Sequence, residues 1–165
     1  MNFEAYKAEF IQYRRLYPDE INAGPITHIN MDEPIKKAEK MIGVSFPESY
    51  KDFLRDFTYA TIFGDEMFSL FPEYYQNDRS NEIAYPEDIT FRYLADMRGD
   101  HSRDPKHVEA CHCNWDDERY FFDFNHYHAD TSECDVFREV VLCAPVLFAK
   151  NYYEFLCKRI RQYIE

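Results

Sequence analysis

Glycine is scarce in this chain, at four residues among 165. Loops that cradle phosphate bring the backbone up to an anion through several closely spaced glycines, and four scattered ones cannot build such a loop. Neither a Gly-x-Ser-x-Gly nucleophile elbow nor a His-Glu-x-x-His helix occurs. No run of eighteen apolar residues exists to span a bilayer. The start, Met1-Asn2-Phe3-Glu4, lacks the basic-then-apolar layout of a signal peptide, so the chain reads as an unexported, cytoplasmic protein. Its five cysteines, Cys111, Cys113, Cys134, Cys143 and Cys157, are odd in number and lack a framework spacing, which fits a reducing compartment better than a disulfide scaffold. With no internal repeat and no low-complexity linker, residues 1–165 read as a single domain.

What the chain has in excess is acid. Its net charge is −12, and the surplus is localised. Between Thr61 and Val140 nineteen Asp and Glu meet seven Lys and Arg, whereas outside that span twelve acids meet twelve bases. Such a field repels nucleic acid and anionic membrane and speeds encounter with a basic protein. It also serves solubility, as any acidic surface does.

Hydrophobic spacing predicts the elements. Phe3, Tyr6, Phe10, Tyr13 and Tyr17 recur at three and four, giving an amphipathic helix that stops before Pro18. Residues 19–30 read as a connector. Ile35, Ala38, Met41 and Ile42 mark a second helix, with Pro34 in its first turn and Gly43 at its end. Pro47, Tyr50, Phe53, Leu54 and Phe57 mark a third, and the link Val44-Ser45-Phe46 is too short to let the two part. From Thr61 the period becomes two. Short strands are predicted at 62–63 and 67–71 around Gly64-Asp65-Glu66, and Pro86-Glu87-Asp88 opens a short helical or irregular piece through Phe91 and Leu94. A hairpin is predicted over 107–127, turning at Asp116-Asp117-Glu118, and a strand over 137–142. Asn151 with Glu154 forms a capping box that opens a last helix, whose stripe Arg159 interrupts. The fold class is α+β, with N-terminal helices and a C-terminal helix packed on a mostly antiparallel sheet.

The run from Ala38 to Leu54, with its aliphatic-Gly-Val at Ile42-Gly43-Val44, apolar-Pro at Phe46-Pro47, and Tyr50-Lys51 before Phe53-Leu54, resembles the signature of the SUKH superfamily. That superfamily includes the yeast cell-wall synthesis regulator and many bacterial immunity proteins. The motif covers about a tenth of the chain, though the later order of elements is similar too. Where the family often carries a Gly-rich turn after the second helix of the motif, Thr58-Tyr59-Ala60-Thr61 stands here.

Side chains with chemical potential cluster late. Cys111, Cys113, His126 and His128 would approach one another if Asp116 faced Arg119 across the hairpin, putting Cys111 opposite Phe124. One residue of slip moves the histidines to the other face. Neither Cys-x-Cys nor His-x-His is a usual structural-zinc spacing, so no metal and no cofactor is expected. A cysteine nucleophile beside one of these histidines, or Asp-His pairs at Asp100-His101 and Asp123-His126, are the candidates for catalysis. Such residues occur in any acidic domain, and a non-catalytic protein is expected.

The binding candidates are the carboxylates Asp116, Asp117, Glu118, Asp130, Glu133 and Asp135, which would pair with Lys and Arg of a partner, and Trp115, Tyr120 and Tyr127, which would anchor it. Read as ordinary surface, the same residues are a polar turn and a solvated loop. The resemblance implies a bacterial immunity protein that neutralises a polymorphic toxin, for instance a nuclease, by direct binding. The alternative is a regulatory scaffold of the cell-wall synthesis regulator type, and a metal-dependent enzyme stands third.

Overall fold

The computed structural model describes residues 3–24, 30–72, 75, 87–99, 102–113 and 117–165. Among them are helices α1 (Glu4–Leu16), α2 (Asp32–Ile42), α3 (Glu48–Asp56), α4 (Ile89–Gly99) and α5 (Tyr152–Ile164). Seven strands, β1 (Ile21–Gly24), β2 (Tyr59–Ile62), β3 (Asp65–Met67), β4 (His107–His112), β5 (Glu118–His128), β6 (Glu133–Val140) and β7 (Val146–Ala149), form one sheet in chain order, each antiparallel to the next. The architecture is the α+β class that the periodicity predicts.

The α2–α3 corner is built as its residues dictate. Gly43 takes φ +81° and donates its N–H to the Glu39 carbonyl, closing α2 in the left-handed conformation that glycine reaches without strain. The Glu39 carboxylate then accepts the N–H of Phe46 at 2.8 Å, fixing the short link. Ile35, Ala38 and Ile42 are buried, but Met41 is 44% exposed and does not belong to the apolar face. A corner needs a third surface, and α5 with the sheet supplies it. Tyr152 lies edge-on to Tyr50 and Phe53 at 4.8 and 5.0 Å, and Tyr50 meets Phe122 of β5 at 5.3 Å. Such aromatic pairs contribute about 0.5–1.5 kcal/mol each beyond the area they bury.

Just past α3, Thr58 adopts φ +62°. A β-branched residue is strained there, and its bridge to Gly24 holds the chain in place.

Several boundaries differ from the sequence reading. The expected connector at 19–30 contains β1, a four-residue strand whose Ile21 and Ala23 face the core while it pairs with β2. The β2–β3 turn lies at Phe63-Gly64, and Asp65 is already strand, buried against Arg159. Residues 133–136, read as loop, begin β6, and residues after Pro145 form β7. The hairpin register is neither of the two considered. Glu109 faces Phe121 and Cys111 faces Tyr120, with a bulge between them, because the strands stop at His112 and resume at Glu118, leaving a longer connection than a tight turn. The loop expected at 76–81 and the pair Asp100-His101 lie outside the described residues.

Candidate functional site

Alternation along β4, β5 and β6 separates two faces of the sheet. Val108, Ala110, Tyr120, Phe122 and Val136 point into the core beneath the helices. Their neighbours His107, Glu109, Arg119, Phe121, Phe137 and Glu139 point the other way, and there the strands build an open charged groove.

Its floor is aromatic. Phe121 and Phe137, directly opposite in register, stack at 6.1 Å, and the His107 ring lies 4.4 Å from Phe121. Above them Glu109 gathers guanidiniums from three elements: Arg103 at 3.1 Å, Arg92 of α4 at 3.3 Å and Arg119 of β5 at 4.0 Å. Arg119 also lies 4.8 Å over the Phe121 ring and pairs with Glu139 at 2.7 Å. The groove encloses about 760 Å³ and runs from Arg92 and Asp104 across the strands to Val140, Val141 and Leu142. Five carboxylates and three guanidiniums line it, so its balance is negative with the histidines neutral. Each of these arginines already has a carboxylate partner, so what the groove leaves over is the surplus negative charge of its carboxylates.

The predicted binding residues divide on this structure. Asp117 and Asp130 are exposed. Glu118 is half-buried, accepting hydrogen bonds from Arg138 and from the Tyr120 hydroxyl, and these partners hold its carboxyl below the usual range despite burial. Tyr127 is half-buried against the core. Trp115 and Asp116 lie outside the described residues. Three predictions are corrected. Tyr120 is wholly buried between Phe148 and Phe155, with its hydroxyl taking a hydrogen bond from Arg159, and cannot anchor a partner. Glu133 is buried, with both carboxylate oxygens bonded to Ser49. Asp135 is buried against His128 at 3.0 Å. A strand that starts only at Phe137 leaves Glu133 and Asp135 on the surface, whereas Tyr120 lies on the core face of β5 with Phe122. The alternation of Cys134 and Val136 with Glu133, Asp135 and Phe137 was the signal for an earlier start.

Among the described residues the groups with catalytic potential do not assemble. His126 meets Asp123 at 2.7 Å and His128 meets Asp135, but among the described residues no thiol or hydroxyl is bonded to either ring. Cys134 instead donates to the Asp123 carbonyl at 3.1 Å, and burial raises its thiol far above the range of a usable nucleophile. Cys111 and Cys113 lie with sulfurs 3.6 Å apart, and burial likewise raises Cys111. Among the described residues no three His, Cys, Asp or Glu side chains are grouped to hold a metal ion. No helix among them is long and apolar enough to cross a membrane.

A family model described as the SMI1 / KNR4 family (SUKH-1) matches residues 31–158, from the residue before α2 into α5. No curated protein matches the chain.

Proposed function

The chain belongs to the SMI1/KNR4 family (SUKH-1), and from that membership we propose that it is a non-catalytic protein-binding domain, an immunity protein that acts in the bacterial cytoplasm by covering a nuclease toxin. The observation that carries this reading is the negative groove on the outer face of β4, β5 and β6, with Asp104 and Asp117 exposed at its margin. A nuclease presents Lys and Arg to its phosphate substrate, and a surface of surplus carboxylates can occupy them. The aromatic floor of Phe121 and Phe137 supplies rigidity beneath the charges.

Co-purification from the native cell, followed by identification of the bound protein, tests the proposal directly. A basic toxin domain whose association rate falls as salt rises is the expected partner. A neutral or acidic partner, or an association rate indifferent to salt, argues against it. The same groove would serve a regulatory scaffold of the cell-wall synthesis regulator type, and the gene neighbourhood separates the two. A large secreted protein with a toxin module at its carboxyl end, encoded next door, marks the immunity protein.

A further inference from the structure

Every residue from Val141 to Leu147, the turn between β6 and β7 with the first half of β7, is exposed. Among the described residues seven large hydrophobic side chains are exposed, and four of them, Val141, Leu142, Val146 and Leu147, fall in this one hairpin. In a chain that is 30% charged, the ten residues from Val140 to Ala149 carry no charge at all. Leu142 sits in the left-handed conformation at φ +66°, with its side chain wholly in solvent. A branched apolar residue is neither comfortable in that backbone nor favoured at that exposure. β7 is moreover an edge strand of the sheet. Its far end is blunted, because Phe148 stands at a bulge and its carbonyl accepts from Lys158 Nζ at 2.8 Å. The open part of the edge is therefore the uncharged apolar part.

We infer that this hairpin is a self-association surface: a second copy of the chain packs on it about a two-fold axis, and Val141, Leu142, Val146 and Leu147 of each copy are buried against the other. Charge selects this occupant. Two molecules of net charge −12 repel wherever their carboxylates face one another, and they can close only where neither carries any. The ten residues offer a cationic partner no carboxylate of their own, the nearest acids being Asp117, Glu118 and Glu139 where Val141 and Leu142 adjoin the end of the groove. A two-fold interface uses one patch twice, so a neutral apolar patch on an acidic molecule complements itself.

The test is sedimentation equilibrium of the full chain over about 1–200 µM at low and high salt. A dimer is expected, and salt should tighten it by screening the like charges, opposite to the salt response of a cationic partner. Leu142→Asp combined with Val146→Asp should raise the dissociation constant by about a hundredfold or more, with an unchanged circular dichroism spectrum. Pyrene-maleimide on Cys143, the exposed cysteine at the tip, placed in a Cys113→Ser background, should give excimer fluorescence in the dimer. A chain that stays monomeric throughout, a dimer that survives the double variant or loosens with salt, or a dimer without excimer, overturns the inference.

Discussion

Glu133 of β6 accepts two hydrogen bonds from Ser49 of α3, one from its N–H at 3.0 Å and one from its hydroxyl at 2.6 Å, across 84 residues of sequence. The helix needs this partner. Its N-cap is Pro47, which has no side-chain oxygen to satisfy the first amides, so a carboxylate from a distant strand does so and complements the helix dipole as well. The Ser49 hydroxyl in turn accepts the N–H of Tyr152 at 2.9 Å, tying the starts of α3 and α5 to one strand. Glu133→Ala should therefore lower stability by about 2–3 kcal/mol, since it leaves buried donors unpaired. Glu133→Gln, which keeps one acceptor oxygen, should cost less. Urea midpoints measure both, and partner affinity at saturating folded protein should not change.

Arg159 interrupts the apolar stripe of α5 for a similar reason. It is 2% exposed and holds the fully buried Asp65 through two nitrogens, while also donating to the hydroxyls of Tyr120 and Tyr163. Removing one member of a buried ion pair strands the other, so Asp65→Leu alone should cost about 3–5 kcal/mol. Adding Arg159→Met should then cost little more, and a double-mutant cycle should return a coupling of at least about 1 kcal/mol. Additive losses would show that the two charges do not depend on each other.

These two contacts mark the boundary of what the residues disclose. The α2–α3 corner was legible because proline, glycine and a 3.6-residue period act locally, over one or two turns. Glu133 and Asp135 are not legible locally because their partners, Ser49 and His128, depend on strand register, which shifts by three residues between Phe122 and Tyr127. β1 escaped notice because Asn22 and Gly24 are poor strand formers and only β2 makes them one. The groove could not be foreseen at all. Glu109 meets Arg92, Arg103 and Arg119 only after a helix, a loop and two strands have converged.

Asp88 gives a pH signature. It is fully buried, and although it accepts from the amides of Phe71, Thr90 and Phe91 and from the Tyr75 hydroxyl, burial raises its carboxyl from the ordinary 3.8 to about 6. A carboxyl that is raised in the native state binds its proton there more tightly than in the unfolded chain. Its contribution is full below about pH 4 and is lost as pH rises through about 6. Wild type minus Asp88→Asn should thus fall by roughly 2–3 kcal/mol between those limits and stay flat above. Burial raises Glu133 in the same direction, but that residue is common to both proteins and cancels in the difference. A difference that grows with pH would contradict the burial argument.

Among the described residues Asp117 and Asp130 are the predicted binding carboxylates that are exposed, so they can steer a partner without holding the fold. Asp117→Asn with Asp130→Asn should slow association with a basic partner by about two- to tenfold at low salt. The difference should vanish near 0.5 M salt, where the screening length falls to about 4 Å. Stopped-flow association at several ionic strengths reads this out. Unfolding midpoints should move by less than about 0.5 kcal/mol, in contrast to Glu133.

Leu142 sets stability against association. Its left-handed backbone, φ +66°, costs an L residue about 1–2 kcal/mol, and a side chain wholly in solvent returns nothing to the monomer. Leu142→Gly removes that strain but adds freedom to the unfolded chain, and the net should be a gain of about 0.5–1 kcal/mol. The measurement is a urea midpoint at a concentration low enough to keep the protein monomeric. The same substitution deletes the most exposed apolar contact of the proposed two-fold interface, so it should loosen the dimer while it stabilises the subunit. Opposite signs in the two assays are what a strained, outward leucine kept for contact requires. A variant that loses stability as a monomer would mean the turn is not strained.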